Sequence, residues 1–378
     1  MGLLRRRWNA VLAALVALVL LGSSAVPAVA DSSPDPAGPE PVQRTLFNNP
    51  WGRTAAQRRI ADEYIRLIRT ATPGSGVRIA FYSLSDEKLA NAMIAAKRRG
   101  VRIQVLVNRH AWNTKQVKRL RKALGTKRSR AAWVSKRPRN WSHSKFLAIE
   151  VGEVSVVSSQ NGTKSGIWQQ QNDAVVTSGD SALYQALVRQ FELMSAGETK
   201  PSVLGRQVTS GSTTLRFYPA PDHARNPVSG LLNDITCQVD GRRTKVWGIM
   251  WIWTAAGKPV AKKLADLAKQ GCDVRMIVSP KQTRKSIQKA LLKGGVSVRV
   301  PKGSKWPHSK YFVVDGHDAD GAPLKVVYAG SPNLTGTALN SNDEVGLTST
   351  SPATVAAYQA NHKSLWGSRT KKLKKAVG

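Results

Sequence analysis

Apolar residues recur at helical spacing over Ala55–Thr70 and Asp86–Arg99, and each stretch is followed by a short apolar run, Val77–Tyr82 and Val101–Val107, of strand length. The order repeats later as helix Val228–Cys237, strand Lys245–Trp251, helix Lys258–Gln270 and strand Asp273–Val278. The joints RRGVRIQVLV and KQGCDVRMIV match, with Gly100 and Gly271 placed as helix C-caps that turn the chain into a strand. Strand, helix and strand in this order predict a parallel, right-handed crossover. The expected fold is therefore α/β, built from two similar halves that are each a helix-covered mixed sheet.

Outside this pattern the chain changes character. Residues 1–30 read as a secretory signal, with Arg5, Arg6 and Arg7, an apolar stretch from Ala10 to Leu21 and Ala28-Val29-Ala30 as a cleavage site. The mature chain is expected to start at Asp31, and the protein to be secreted and extracellular. The apolar stretch is too short to span a bilayer, which needs about 18 or more apolar residues. Residues 31–44 are rich in Pro and Ser and read as a flexible spacer. The halves are placed at 45–205 and 206–368, with turn formers over Thr199–Thr213 at the boundary, and 369–378 as a basic tail.

The formal net charge is +35, and losing the signal lowers it only to +32. Such a charge favours polyanionic partners: nucleic acid, an anionic lipid surface or a cell-wall polymer. Cys237 and Cys272 are the only cysteines. In an oxidising compartment they are expected to form one disulfide, two separately buried thiols being the alternative.

Two short stretches carry candidate chemistry: Trp141-Ser-His143-Ser-Lys145 and Trp306-Pro-His308-Ser-Lys310, each leading into an apolar run, Phe146–Ile149 and Tyr311–Val314. Residues two apart on a strand share a face, so each imidazole is expected to converge with its ammonium. That pair suits a phosphate ester, because the ammonium neutralises oxygens while the imidazole attacks phosphorus or moves a proton. Glu150 and Asp315 fall at odd spacing from the histidines and are expected to be structural. The polar turns Ser158-Ser159-Gln160-Asn161 and Gly330-Ser331-Pro332-Asn333 offer donors to phosphate oxygens. Gln171-Asn172-Asp173 and Asn342-Asp343-Glu344 offer each half a carboxylate that would fix an imidazole tautomer. The histidines are 165 residues apart, Gly100 and Gly271 are 171 apart, and Asn161 and Asn333 are 172 apart, as an internal duplication requires.

These motifs resemble the phospholipase D superfamily, whose signature is H-x-K-x4-D followed by G-S-x-N. The second copy matches through His308, Lys310, Asp315, Gly330, Ser331 and Asn333. The first keeps His143, Lys145, Ser159 and Asn161 but has Glu150 for Asp and Ser158 for Gly. The resemblance covers roughly Ala55 to Trp366. It implies that both H-x-K pairs meet in one cleft, with no metal or other cofactor required. By analogy His143 is the nucleophile that forms a phosphohistidine and His308 the acid and base. Lys145, Lys310, Asn161 and Asn333 would supply the positive field. Asp173 and Glu344 would orient the histidines, with Asp343 as the alternative to Glu344. A duplicated chain completes this site as a monomer.

Around the motifs, Arg109–Arg139 holds twelve Lys and Arg and no acid, and Lys281–Lys305 holds eight and no acid. Both are expected to flank the cleft and draw in an anion. Trp112, Trp133, Trp141 and Trp306 interleave with them, whereas Trp247, Trp251 and Trp253 read as core. Mixed Trp and Lys/Arg suits a membrane interface or stacked bases. Asp315–Gly321 resembles half a calcium loop but lacks its bidentate Glu, so a turn is expected. His110, His223, His317 and His362 show no metal-ligand spacing. The leading expectation is a secreted phospholipase D-type phosphodiesterase that hydrolyses phospholipid headgroups or transfers them to alcohols. A metal-independent nuclease of the same superfamily is the alternative, and a non-catalytic polyanion-binding protein the reading from a different class.

Overall fold

Both halves build the predicted strand–helix alternation into sheets of the same topology. The computed structural model describes residues 41–220 and 226–377. The expected signal, most of the spacer and His223 lie outside the described residues. In space the first sheet runs Val42–Phe47, Asp173–Ser178, Val154–Ser158, Lys145–Ile149, Gly76–Phe81, Arg102–Val107, Trp133–Lys136. The second runs Gln207–Ser210, Thr213–Tyr218, Asn342–Ser349, Pro323–Gly330, Tyr311–His317, Lys245–Met250, Asp273–Val278, Ser297–Pro301, Thr370–Lys372. Without its two outermost strands the second order repeats the first strand for strand. Pairing is parallel among the crossover strands and antiparallel elsewhere, so each sheet is mixed.

Helices Thr54–Thr70, Glu87–Arg98 and Lys115–Leu124 bury their apolar stripes on one face of the first sheet, through residues such as Ile60, Ile68, Met93 and Leu120. Lys258–Lys269 and Lys285–Lys293 do the same on the second. The opposite faces share a third core. There Phe146, Val175 and Phe191 of the first half join Phe217, Trp247, Tyr311, Val327 and Tyr358 of the second. Each large apolar side chain buried in that layer contributes about 1.5–3 kcal/mol. The halves therefore stabilise one another as one unit rather than as separable domains.

Several boundaries differ from expectation. Strand Val42–Phe47 begins inside the expected spacer of 31–44 and pairs antiparallel with Asp173–Ser178. The expected linker at Thr199–Thr213 holds helix Pro201–Leu204 and strand Gln207–Ser210. The expected basic tail supplies strand Thr370–Lys372, which closes the edge at Ser297–Pro301. Helix Val228–Cys237 is shorter, Pro227–Asn233, because the following residues enter a small hairpin tied down by a Cys237–Cys272 disulfide. No helix of the described residues is long and apolar enough to cross a membrane.

Candidate active site

The two H-x-K stretches meet because each is clipped to the opposite half. Trp141–Ser142 pairs in parallel with Asn342 and Asp343, and Trp306–Pro307 pairs in parallel with Gln170 and Gln171. The backbone N–H of His143 then donates to Asp343 O at 2.9 Å, and that of His308 to Gln171 O at 2.7 Å. The acid-bearing segment of one half is thus delivered to the histidine of the other.

His143 Nδ1 lies 2.9 Å from both carboxylate oxygens of Glu344. Glu344 is fully buried, and Ser331 Oγ donates to its Oε2. His308 Nδ1 lies 2.8 Å from Asn172 Oδ1. The expected partner Asp173 is instead held by the hydroxyls of Ser159, at 2.8 Å, and Tyr358, also at 2.8 Å. Asp343, the alternative to Glu344, is spent on a fully buried ion pair with Arg137. Asn172, Tyr358 and Arg137 were not singled out by sequence reasoning. Only the position of Asn172 beside Asp173 pointed toward any of them.

The lysines sit under the histidines, and among the described residues no carboxylate is hydrogen-bonded to either, Glu344 and Asp173 acting through space. Lys145 Nζ donates to His143 O, and Lys310 Nζ donates to His308 O at 2.6 Å. Lys310 Nζ is also 3.1 and 3.2 Å from the two ring nitrogens of His308. Burial pulls Lys145 down to about 7 against the pull of Glu344, and pushes Lys310 well below the ordinary lysine range with help from Lys145. Burial likewise lowers His143 to about 4, with Glu344 opposing, and holds His308 well below the ordinary histidine range, where Lys310 and Lys145 add to the effect. Burial disfavours the ammonium form of both lysines although Glu344 acts on both and Asp173 on Lys310, and a phosphodiester anion between them would restore it.

Most of the remaining motif residues have structural partners. Glu150, just past the end of strand Lys145–Ile149, accepts from Gly76 N–H and Arg102, and Asp315, within strand Tyr311–His317, accepts from Lys245 at 3.0 Å. Ser159 and Ser331, expected to donate to phosphate, spend their hydroxyls on Asp173 and Glu344. Asn333 is anchored through Oδ1 by Ile252 N–H at 3.1 Å, and Asn161 follows strand Val154–Ser158 by three residues, its Oδ1 buried without a hydrogen-bond partner among the described residues. Gly330 has φ +137°, and a Cβ there would lie 2.4 Å from Val345 O, so glycine is required. The first half avoids that conformation, and Ser158 instead donates its hydroxyl to Asp173 O at 2.6 Å.

The comparisons accord with this geometry. The sequence model of the family described as "Cardiolipin synthase, PLD-like domain" matches residues 64–195 and 238–366, more than half of the chain. The chain belongs to the phospholipase D superfamily. It is a phospholipase D-like phosphodiesterase with a duplicated α/β fold. No curated protein matches it in sequence. Among solved structures it resembles phosphatidylserine synthase of Haemophilus influenzae Rd KW20 at 12% identity and TM-score 0.63, covering 88% of each chain. It also resembles polyphosphate kinase of Porphyromonas gingivalis at 14% identity and TM-score 0.63. That match covers 88% of this chain, which spans about half, 48%, of the kinase.

In this phospholipase D-like chain the rim of the site is aromatic. Tyr82 lies edge-on to His143 at 4.9 Å, and His110 stacks on Trp141, which is 46% exposed. On the other side Trp251 stacks on Trp306 at 5.5 Å and lies 5.8 Å from His308. Trp251 is therefore a rim residue rather than core, whereas Trp247 and Trp253 are buried. Trp133, expected beside the cleft, is buried against Phe191. Trp112 is covered by Arg121 and Lys136. The basic stretch after Arg109 also serves structure: Arg137 is buried, and Arg128 is tied to Ser195 O.

Proposed function

We propose that this protein is a secreted phospholipase D-type enzyme that cleaves phospholipid headgroups, with transfer to alcohols as a second outcome of the same intermediate. The observation that carries the lipid reading is a cavity of about 360 Å³ lined by Trp251, Trp306, Pro280, Pro301 and Lys281. Trp251 places its apolar wall beside His308. A substrate whose phosphate is flanked by apolar bulk fits such a wall, and exposed Trp141 suits headgroup depth. The family description, with its cardiolipin synthase, points the same way. The Cys237–Cys272 disulfide and the N-terminal signal pattern support export.

The chemistry proposed is a two-step displacement through phosphohistidine without a metal, the ammonium groups of Lys145 and Lys310 stabilising the charge on phosphorus-bound oxygens. A nuclease is the second reading, favoured by the net charge of +35 and the open His110–Trp141 stack. The test incubates the protein in EDTA with phospholipid vesicles and, separately, with DNA and RNA, alongside His143→Ala and His308→Ala. Headgroup release abolished in both variants is expected. Cleavage of nucleic acid alone refutes the lipid reading, and salt-sensitive binding without cleavage makes the protein a polyanion binder.

A further inference from the structure

The turn that precedes the second H-x-K stretch borders two cavities. One is the apolar cavity of about 360 Å³ walled by Trp251 and Trp306. The other, of about 310 Å³, is lined by Trp51, Lys302, Ser304, Lys305, Ser368 and Arg369. Gly303 and Ser304 line both. Gly303 has φ +71°, and nothing lies within 4 Å of the place its Cβ would occupy, so the turn projects into open space.

The second cavity draws on both halves and is held in shape by contacts to backbone. Lys302 N–H donates to Arg369 O at 3.0 Å, and Lys305 Nζ donates to Pro50 O at 2.5 Å. The Arg369 guanidinium lies 5.4 Å from the centre of the Trp51 ring. Three cations thus converge on one hollow, and no carboxylate lines either cavity. Lys302, Lys305 and Arg369, with Lys281 at the apolar cavity, form no ion pair among the described residues. Like charges held together repel one another, and an anion seated among them relieves that repulsion.

A larger basic hollow lacks these features. The cavity of about 530 Å³ between helices Thr54–Thr70 and Glu87–Arg98 is lined by Asp62 as well as by cations. There Arg66 is paired with Glu63 at 2.7 Å and Arg99 donates to Ile68 O at 3.1 Å, so part of the charge is already balanced. It shares no lining residue with the apolar cavity.

Solvated cations hold a single phosphate weakly, because exposed ion pairs contribute little. They count where phosphates are crowded, as on an anionic bilayer, and an indole among them suits headgroup depth. The adjoining cavity then turns its apolar wall toward the lipid, with Trp251 5.8 Å from His308. We propose that the hollow of Trp51, Lys302, Lys305 and Arg369 is a non-catalytic docking site for the phosphate headgroups of an anionic bilayer. Docking there seats the cavity of Trp251 and Trp306, and with it His308, against the lipid to be cut. This role rests on the lipid reading above and adds the charge of the surface and the face that meets it.

The test sediments the protein with sucrose-loaded vesicles of phosphatidylcholine, alone or with phosphatidylglycerol added, in a His143→Ala background so that turnover leaves the vesicles unchanged. Each basic residue near an anionic surface contributes about fivefold in affinity. Lys302→Gln with Arg369→Gln is therefore expected to weaken binding to the anionic vesicles about 25-fold. Lys302→Gln alone, whose ammonium has only Gly367 O at 3.5 Å to lose, should weaken it about fivefold and keeps the test valid if the double variant fails to fold. Arg69→Gln with Lys88→Gln removes the same charge from the larger hollow and is expected to weaken binding less than about threefold, because solvent and salt screen charges away from the contact. Equal losses from the two pairs would mean diffuse attraction by net charge and overturn the proposal. So would a single-stranded RNA oligomer that loses affinity with Lys302 and Arg369 while the vesicles do not. Headgroup release by the protein with His143 intact separates the two readings. Release with vesicle binding indifferent to Lys302 and Arg369 sinks the docking site and leaves the lipid reading. Vesicle binding that depends on them without any headgroup release sinks the lipid reading and leaves the docking site.

Discussion

Arg137 is the side chain whose loss should be felt most widely. Its guanidinium is fully buried, holds both oxygens of the equally buried Asp343 at 2.5 and 3.1 Å, and donates to Met194 O at 2.7 Å and to Glu198 O. Removing one member of a buried pair costs about 3–5 kcal/mol, because the other charge stays behind unpaired. Arg137→Ala is expected to cost that much in urea unfolding monitored by Trp fluorescence. Burial already pushes the Asp343 carboxyl up against the pull of Arg137, and without Arg137 it rises further. A carboxyl whose folded value is raised binds more protons folded than unfolded, so its stability contribution is present at low pH and lost as pH rises through the folded value. The deficit of Arg137→Ala should therefore be smallest near pH 4 and largest at neutral pH. Arg137→Met with Asp343→Leu removes both charges and should recover most of the loss. A cost below about 1 kcal/mol at pH 7, or a deficit that grows on acidification, refutes the reasoning. Activity should fall as well, because Asp343 O receives the His143 N–H and Glu344 is the next residue.

Inorganic phosphate should raise Tm by filling the charge deficit at Lys145 and Lys310, by about 2.7 kcal/mol of stability at a hundred times Kd, and Lys310→Met should abolish the shift. His362 is fully buried between the stacked Trp247 and Trp366 and is pulled down by burial to about 3. The unfolded chain takes up its proton first, so stability should fall as pH drops from 6.5 toward 3, and His362→Phe should flatten that fall by on the order of 2–4 kcal/mol in acid-titrated thermal melts. Opening the Cys237–Cys272 disulfide frees a 35-residue separation, for which chain entropy predicts about 4 kcal/mol, measurable as a lower urea midpoint in Cys237→Ser with Cys272→Ser.

The alternation of helices and strands could be read from the sequence because the inner strands are continuous apolar runs closed by glycine caps, as at Gly100 and Gly271. Both glycines adopt the left-handed conformation that such caps need. Edge strands gave weaker signals. Val42–Phe47 begins with alternating exposed and partly buried residues and lies against Asp173–Ser178, far away in sequence, so its first three residues read as spacer. The structural part expected of Glu150 and Asp315 followed from strand parity alone, and in the structure Glu150 accepts from Gly76 N–H and Asp315 from Lys245.

The orientation of the histidines could not be read in the same way, because it depends on pairings only two residues long. Trp306 and Pro307 against Gln170 and Gln171 leave no periodic trace, yet their register decides that Asn172 rather than Asp173 reaches His308. Neither half holds a complete site, since every orienting group at a histidine comes from the other half. A strictly symmetric duplication would give the two histidines identical partners. Substituting an amide for a carboxylate at one of two equivalent contacts breaks that symmetry without moving the backbone. The difference between Asn172 and Glu344 thus gives two copies of one motif different electrostatic surroundings.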